Sequence, residues 1–223
     1  MKMMNNLFSI FDPSTFIKIP LNWLSSIMIL IIIPLNFWLI PNRIMMMNWL
    51  LMNYLMTELK IIIKKNNLIL FFIALFFFIM LNNFMGLFPY IFTSSSHLSM
   101  NLTIAIPFWL AIMMFGWINN TNHMFIHLIP QGTPFILMPF MVMIETISNV
   151  IRPLTLAVRL TANMIAGHLL LTLLSEMKNT IPTYLIFILL SLQILLLILE
   201  MSVALIQSYV FMILTSLYLS ETK

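Results

Sequence analysis

From residue 68 to residue 88 the chain reads LILFFIALFFFIMLNNFMGLF, twenty-one residues without a charge. About 20 apolar residues in a helix are enough to cross the hydrocarbon core of a bilayer. This run alone points to a membrane, and others like it follow along the chain. Hydrophobic residues make up 62% of the sequence and charged ones 7%, against about a quarter charged in a soluble domain. The chain is therefore read as an all-α, polytopic integral membrane protein forming a single membrane domain over residues 1–223.

The spans fall out of the pattern. Residues 21–41 form a first transmembrane helix, with Trp23 and Trp38 near its ends as an aromatic belt requires and Pro34 inside it. Residues 43–65 differ in kind. On a helix, Asn53, Thr57, Lys60 and Lys64 make one polar stripe against a Met, Leu and Ile face, the pattern of an amphipathic helix lying in the interface. Residues 68–88 and 100–118 are two further transmembrane helices, separated by a turn at Gly86 and Pro89 and the short polar loop SSSHLSMN. Residues 119–133 read as a polar loop. The connection carrying Arg43, Lys60, Lys64 and Lys65 is the most basic in the chain, so the positive-inside tendency puts it on the inner side and the N-terminus opposite.

Residues 134–175 and 181–219 do not resemble ordinary spans. The first is helical in pattern but punctuated by Pro139, Pro153 and Gly167. The second runs free of glycine, with Pro182 in its first turn, where proline is tolerated. A straight helix over 181–219 would measure about 58 Å against a core of about 30 Å, so the two segments are expected to be a strongly tilted antiparallel pair. The tilt needed exceeds the usual range of about 0–40°.

That pair also holds the charges. Within NVIRPLTLAVRLTANMIAGH, residues 149–168, two arginines and a histidine stand among Leu, Ile and Val. Around a helix, Glu145, Ser148, Arg152, Thr155 and Asn163 all fall within about 40° of Arg159, while His168 lies on the opposite side. The last helix repeats the device, with Gln193, Glu200 and Gln207 seven apart on one face. Ion pairs such as Glu145 with Arg152, or Arg159 with Glu200, would explain isolated intramembrane charges. An ordered polar file on each of two helices points instead to a water-accessible path or a moving charged partner. Carboxylate, imidazole and amide groups suit protons far better than sugars or lipids.

Other classes drop out. Ten basic residues spread over loops do not suggest nucleic acid, and no GxxxxGK[ST] loop is present to bind a nucleotide. The absence of cysteine removes disulfides, iron–sulfur clusters and thiolate metal sites. His123 and His127, four apart in the polar loop, read as interfacial polar residues rather than metal ligands, so no metal and no cofactor is expected. Twenty-two methionines with abundant Phe, Ile and Asn fit translation from an AT-rich organellar genome. The opening MKMMNNLFSIFDPST shows no cleavable presequence.

RPLTLAVRLTANMIAGH followed by LLILEMSVALIQSYVF resembles the a subunits of F-type rotary ATP synthases, in their mitochondrially encoded, insect-like form, and the resemblance covers essentially the whole chain. It implies a non-catalytic stator subunit of the Fo sector in the mitochondrial inner membrane, with its N-terminus on the intermembrane-space side. The implied partners are the c-ring, peripheral-stalk and other small Fo subunits, the lipid bilayer, and protons with channel water. Two half-channels would lead to and from the ring carboxylate, with His168 and Glu200 on the entry side and Glu145 on the exit side. Arg159 would promote deprotonation of that carboxylate and block a proton short circuit, while Asn163 and Gln207 would position water or Arg159. Arg152, Gln193 and Ser148 are left as structural or supporting residues. The competing readings are a membrane subunit of a respiratory dehydrogenase and a proton-coupled transporter; the latter usually shows inverted repeats, and none is visible.

Overall fold

The computed structural model describes residues 7–14, 20–32, 40–63, 66–129, 134–178 and 182–222, and every regular element among them is helical. A 3-10 turn at Leu7–Phe11 and another at Leu21–Leu24 precede α1, Ser25–Ile32. Residues 33–39, which complete the expected first span and include Pro34 and Trp38, lie outside the described residues, as do Lys64 and Lys65. Next come α2 (Arg43–Ile62), α3 (Asn66–Gly86), α4 (Leu98–Asn119), α5 (Thr121–His127), α6 (Met138–Met177) and α7 (Ile186–Glu221). Four of the described helices, α3, α4, α6 and α7, are long and apolar enough to cross a membrane.

α3 is the hub of the packing. One of its faces, through Ile69, Phe72, Ile73 and Phe76, meets Leu55 and Leu59 of α2 and Met212 and Leu219 of α7. The other, through Leu75 and Ile79, meets Ala105 of α4, Leu156, Ala157 and Leu160 of α6, and Phe211 of α7. α3 buries two of its faces in the protein and leaves Leu70 and Phe71 exposed on a third, so its sequence is hydrophobic all round rather than amphipathic, as a membrane span's is. α6 is different: Val150, Ile151, Leu154 and Val158 stay exposed on its outer face.

The prolines and glycine read as interruptions do not break α6. Pro139 sits in its first turn, and Pro153 lies inside a helix that continues for 40 residues. Pro153 cannot donate to the carbonyl of Asn149, so one backbone hydrogen bond is lost there without a break. α6 and α7, at 40 and 36 residues, extend about 60 and 54 Å. They run antiparallel, because Arg152 reaches Glu221 near the end of α7 while Gly167 lies against Glu200 nearer its start.

Two connections carry more structure than their polarity suggests. Thr93, Ser94, Ser95 and Ser96 are buried, and a 3-10 turn spans Ser94–Ser96. The Ser94 hydroxyl donates to Asn82 Oδ1 at 3.1 Å, and Asn101 Nδ2 donates to the Ser95 carbonyl at 2.8 Å. Within the stretch 119–133, residues 121–127 form α5 rather than loop. Met124 is its buried anchor, and Gly116 of α4 allows Met124 and Thr222 to approach closely enough that a Cβ there would meet them at 3.0 and 3.1 Å.

Candidate functional site

Where α6 and α7 pass α3, a cavity of about 210 Å³ is lined by Asn83, Asn163, Gly167, His168, Glu200 and Gln207, together with apolar neighbours. Glu200 is 8% exposed, and neither carboxylate oxygen has a hydrogen-bond partner among the described residues. His168 Nε2 and Asn83 Oδ1 are likewise buried and unsatisfied. Leaving such groups unmade costs about 1–3 kcal/mol each, more for charged ones, so four orphaned atoms around one cavity identify a site built for water or a transient proton. A cavity this large has room for several waters, since one needs only about 10–15 Å³ of this kind of space. Phe11, from the N-terminal 3-10 turn, meets the His168 ring edge-on at 6.4 Å.

The carboxylate is held against the α6 backbone. A Cβ at Gly167 would collide with Oε1 of Glu200 and lie 2.7 Å from its Cδ. Only glycine leaves this space, so Gly167 belongs to the site. His168, a half turn around α6 from Arg159, shares the cavity with Glu200, and so do Asn163 and Gln207.

Arg159 is elsewhere. It is exposed on α6 and makes no ion pair or hydrogen bond among the described residues. The pairing of Arg159 with Glu200 considered from sequence is therefore not formed. Arg159 lies on the stripe it shares with Thr155 and Asn163, and the exposed residues beside that stripe include the apolar Val158 and Ala162.

A second polar site lies two turns earlier. Arg152 donates to Glu221 Oε2 at 2.9 Å and to Glu145 Oε1 at 3.4 Å, and its guanidinium lies 5.1 Å from the Tyr218 ring centroid. Arg152 thus ties α6 to the end of α7, and Glu145 is paired rather than free. Ser148 turns its hydroxyl back to the Glu145 carbonyl at 2.9 Å. Gln193 is partly buried on α7 and does not line the cavity.

Sequence periodicity brought out Glu145, Arg152, Arg159, Asn163, Glu200 and Gln207, but not Asn83, Gly167 as a contact residue, or Glu221. Asn83 is distant in sequence, and its only signal was an amide pair, Asn82–Asn83, ending an otherwise apolar helix. Glu221 lies beyond the expected end of the last helix. Among the described residues no group of three or more His, Asp or Glu is assembled to hold a metal ion.

The family model described as ATP synthase A chain matches residues 19–220. The ATP synthase subunit a of Anopheles quadrimaculatus is 58% identical over 226 residues, covering 99% of this chain and 100% of that protein. Those of Drosophila melanogaster and Locusta migratoria are 57% and 58% identical, each over 224 residues, covering 99% and 98% of this chain and 100% and 99% of theirs.

Proposed function

The chain belongs to the ATP synthase A chain family, and from that premise we propose that Arg159 acts between two half-channels that its neighbours form on opposite sides of the membrane. The chain is the proton-translocating membrane subunit of the Fo sector, of the insect mitochondrial type; neither the dehydrogenase-subunit nor the transporter reading is favoured. What carries the proposal is position along α6. His168 and Arg152 are sixteen residues apart, about 24 Å on a helix, and the exposed Arg159 stands between them.

Entry runs through the cavity. Glu200, His168, Asn163 and Gln207, with Asn83, would hand a proton from the intermembrane-space side to a carboxylate on the c-ring facing Arg159. A neutral carboxylic acid can travel through lipid, whereas its ionised form is prohibitively costly there. As the ring carboxylate comes opposite Arg159, the fixed cation favours its ionised form, because a nearby positive charge lowers a carboxyl pKa. The proton leaves toward the matrix past Glu145, Arg152 and Glu221. The same cation repels a proton crossing directly from one cavity to the other, and arginine holds its charge where lysine could lose it.

The N-terminus lies on the intermembrane-space side in this scheme, supported by the basic α2 connection, and the chain sits as a multi-pass protein of the mitochondrial inner membrane. The long α6 and α7 exceed the hydrocarbon thickness by nearly twofold, which supports their inclination along the ring. The domain as a whole comprises the spans, the interfacial α2 and this pair. Besides the c-ring it would meet peripheral-stalk and small Fo subunits. Nucleotide chemistry is assigned to other subunits, since this sequence holds no phosphate-binding loop.

The test is Arg159→Ala in reconstituted complexes. ATP-driven pumping should be lost and passive proton conductance through the membrane sector should rise. Retention of normal coupled synthesis would overturn the mechanism.

A further inference from the structure

The Arg152 cluster opens into a crevice lined by His127, Asn149, Arg152, Tyr218, Glu221 and Thr222. His127 is exposed at the end of α5, and His123, one turn earlier on the same helix, is exposed as well. Their rings stand 6.4 Å apart at 31°. Nothing in the half-channel scheme has used either histidine. We propose that His127, backed by His123, accepts protons leaving past Glu221 and Glu145 and delivers them to the aqueous buffer on that side.

Three observations carry this. The first is composition of the crevice: α6 contributes Asn149 and Arg152, which also pairs with Glu145, α7 contributes Tyr218 and Glu221, α5 contributes His127, and α4 contributes Trp109, Ile112 and Met113, none of the α4 residues titratable. His127 is thus the one imidazole lining that crevice beside the carboxylate of Glu221. The second is charge. One guanidinium faces two carboxylates, so the cluster can take up one proton without carrying excess positive charge. The third is anchorage. α5 is docked by buried Met124, and Asn120 Nδ2 donates to the Thr222 carbonyl at 3.4 Å, so the end of α7 and α5 are held together.

Imidazole is the side chain whose ordinary titration falls in the physiological range, which lets it both take a proton from a carboxylic acid and release it to buffer. In the step itself, the O–H bond of the Glu221 or Glu145 carboxyl breaks and an N–H bond forms on the His127 ring. The imidazolium then gives that proton to a buffer base, and the neutral ring returns. One proton moves and nothing is oxidised or reduced. His123 extends the accepting surface by a helical turn.

This inference rests on the half-channel reading above, and the experiment separates the two. Complexes carrying His127→Gln are reconstituted, and proton flux is measured with low and with high concentrations of a membrane-impermeant buffer of near-neutral pKa on the α5 side. A several-fold loss is expected at low buffer, restored by high buffer or by added imidazole. His123→Gln, altered at an exposed ring, should show a smaller loss with the same rescue, and it keeps the test available if His127→Gln does not assemble. A loss that ignores buffer, or no loss in either variant, overturns the role of the histidines. If Arg159→Ala also keeps coupling, the half-channel reading fails with it; if Arg159→Ala uncouples as expected, only the histidine assignment falls.

Discussion

Gly167→Ala tests the entry site most sharply, because the structure sets its consequence. A Cβ at position 167 would collide with Glu200 Oε1 and lie 2.7 Å from Cδ and 3.0 Å from Cγ. The obstructing atoms are the far end of a flexible side chain, so Glu200 can move, but only by leaving its place beside His168. Overpacking of this kind costs about 1–3 kcal/mol, or about 5–150-fold in the population of the present arrangement. Helix propensity works the other way, favouring alanine by up to about 1 kcal/mol. The complex should therefore assemble normally while proton flux falls. ATP synthesis and ATP-driven acidification in reconstituted vesicles measure the loss, with subunit content as the assembly check. Glu200→Asp, one methylene shorter, withdraws the carboxylate from the added methyl. The loss caused by Gly167→Ala should then shrink in the Glu200→Asp background, a coupling that a double-mutant cycle isolates. Full flux in Gly167→Ala, or the same loss in both backgrounds, would refute the assignment of this contact to the conducting site.

Glu200→Gln should slow proton entry in an assembled complex; unchanged flux would make Glu200 a structural residue. Arg152→Ala leaves Glu145 and Glu221 without their shared cation. Each pair is partly exposed and worth about 0.2–1 kcal/mol, so a modest drop in the thermal midpoint of the isolated complex is expected, partly recovered by adding Glu221→Gln. No drop would mean that the cluster does not hold α7 to α6.

The spans were legible because hydrophobic length is a one-dimensional property, and the stripe from Glu145 to Asn163 because helical periodicity is one as well. Other features depend on partners that no local pattern reveals. TNHMFIH, residues 121–127, is too short and polar to announce a helix, and it becomes α5 only because Met124 finds a buried seat beside Gly116 and Thr222. The SSS run looked like a surface loop, yet it is buried, with the Ser94 hydroxyl met by Asn82, the Ser95 carbonyl by Asn101 and the Ser96 hydroxyl by the Thr93 carbonyl. Gly167 looked like a helix breaker when its role is to admit a carboxylate. Glu221 lay past the apolar pattern, in the region where helix ends are least defined, and only the fold brings it to Arg152.

The carboxylates make the division of labour explicit. There are six acidic residues. Asp12 is exposed, and its carboxyl accepts the Ser14 amide at 3.0 Å, which holds it below the usual carboxylate range. Glu58 accepts the Tyr209 hydroxyl at 3.1 Å and pushes the Tyr54 hydroxyl up. Glu145 and Glu221 share Arg152, and Glu176 is exposed near the end of α6. Among the described residues Glu200 alone is buried without a partner, and Arg159 is an exposed cation without an ion pair. A fold that needed only a static counter-ion would bring these two together, as it brings Arg152 to Glu145 and Glu221. Glu200, on α7, lies against Gly167 of α6 instead and pairs with nothing among the described residues, which leaves it to water and protons, and Arg159 to a visiting carboxylate, in the function proposed above.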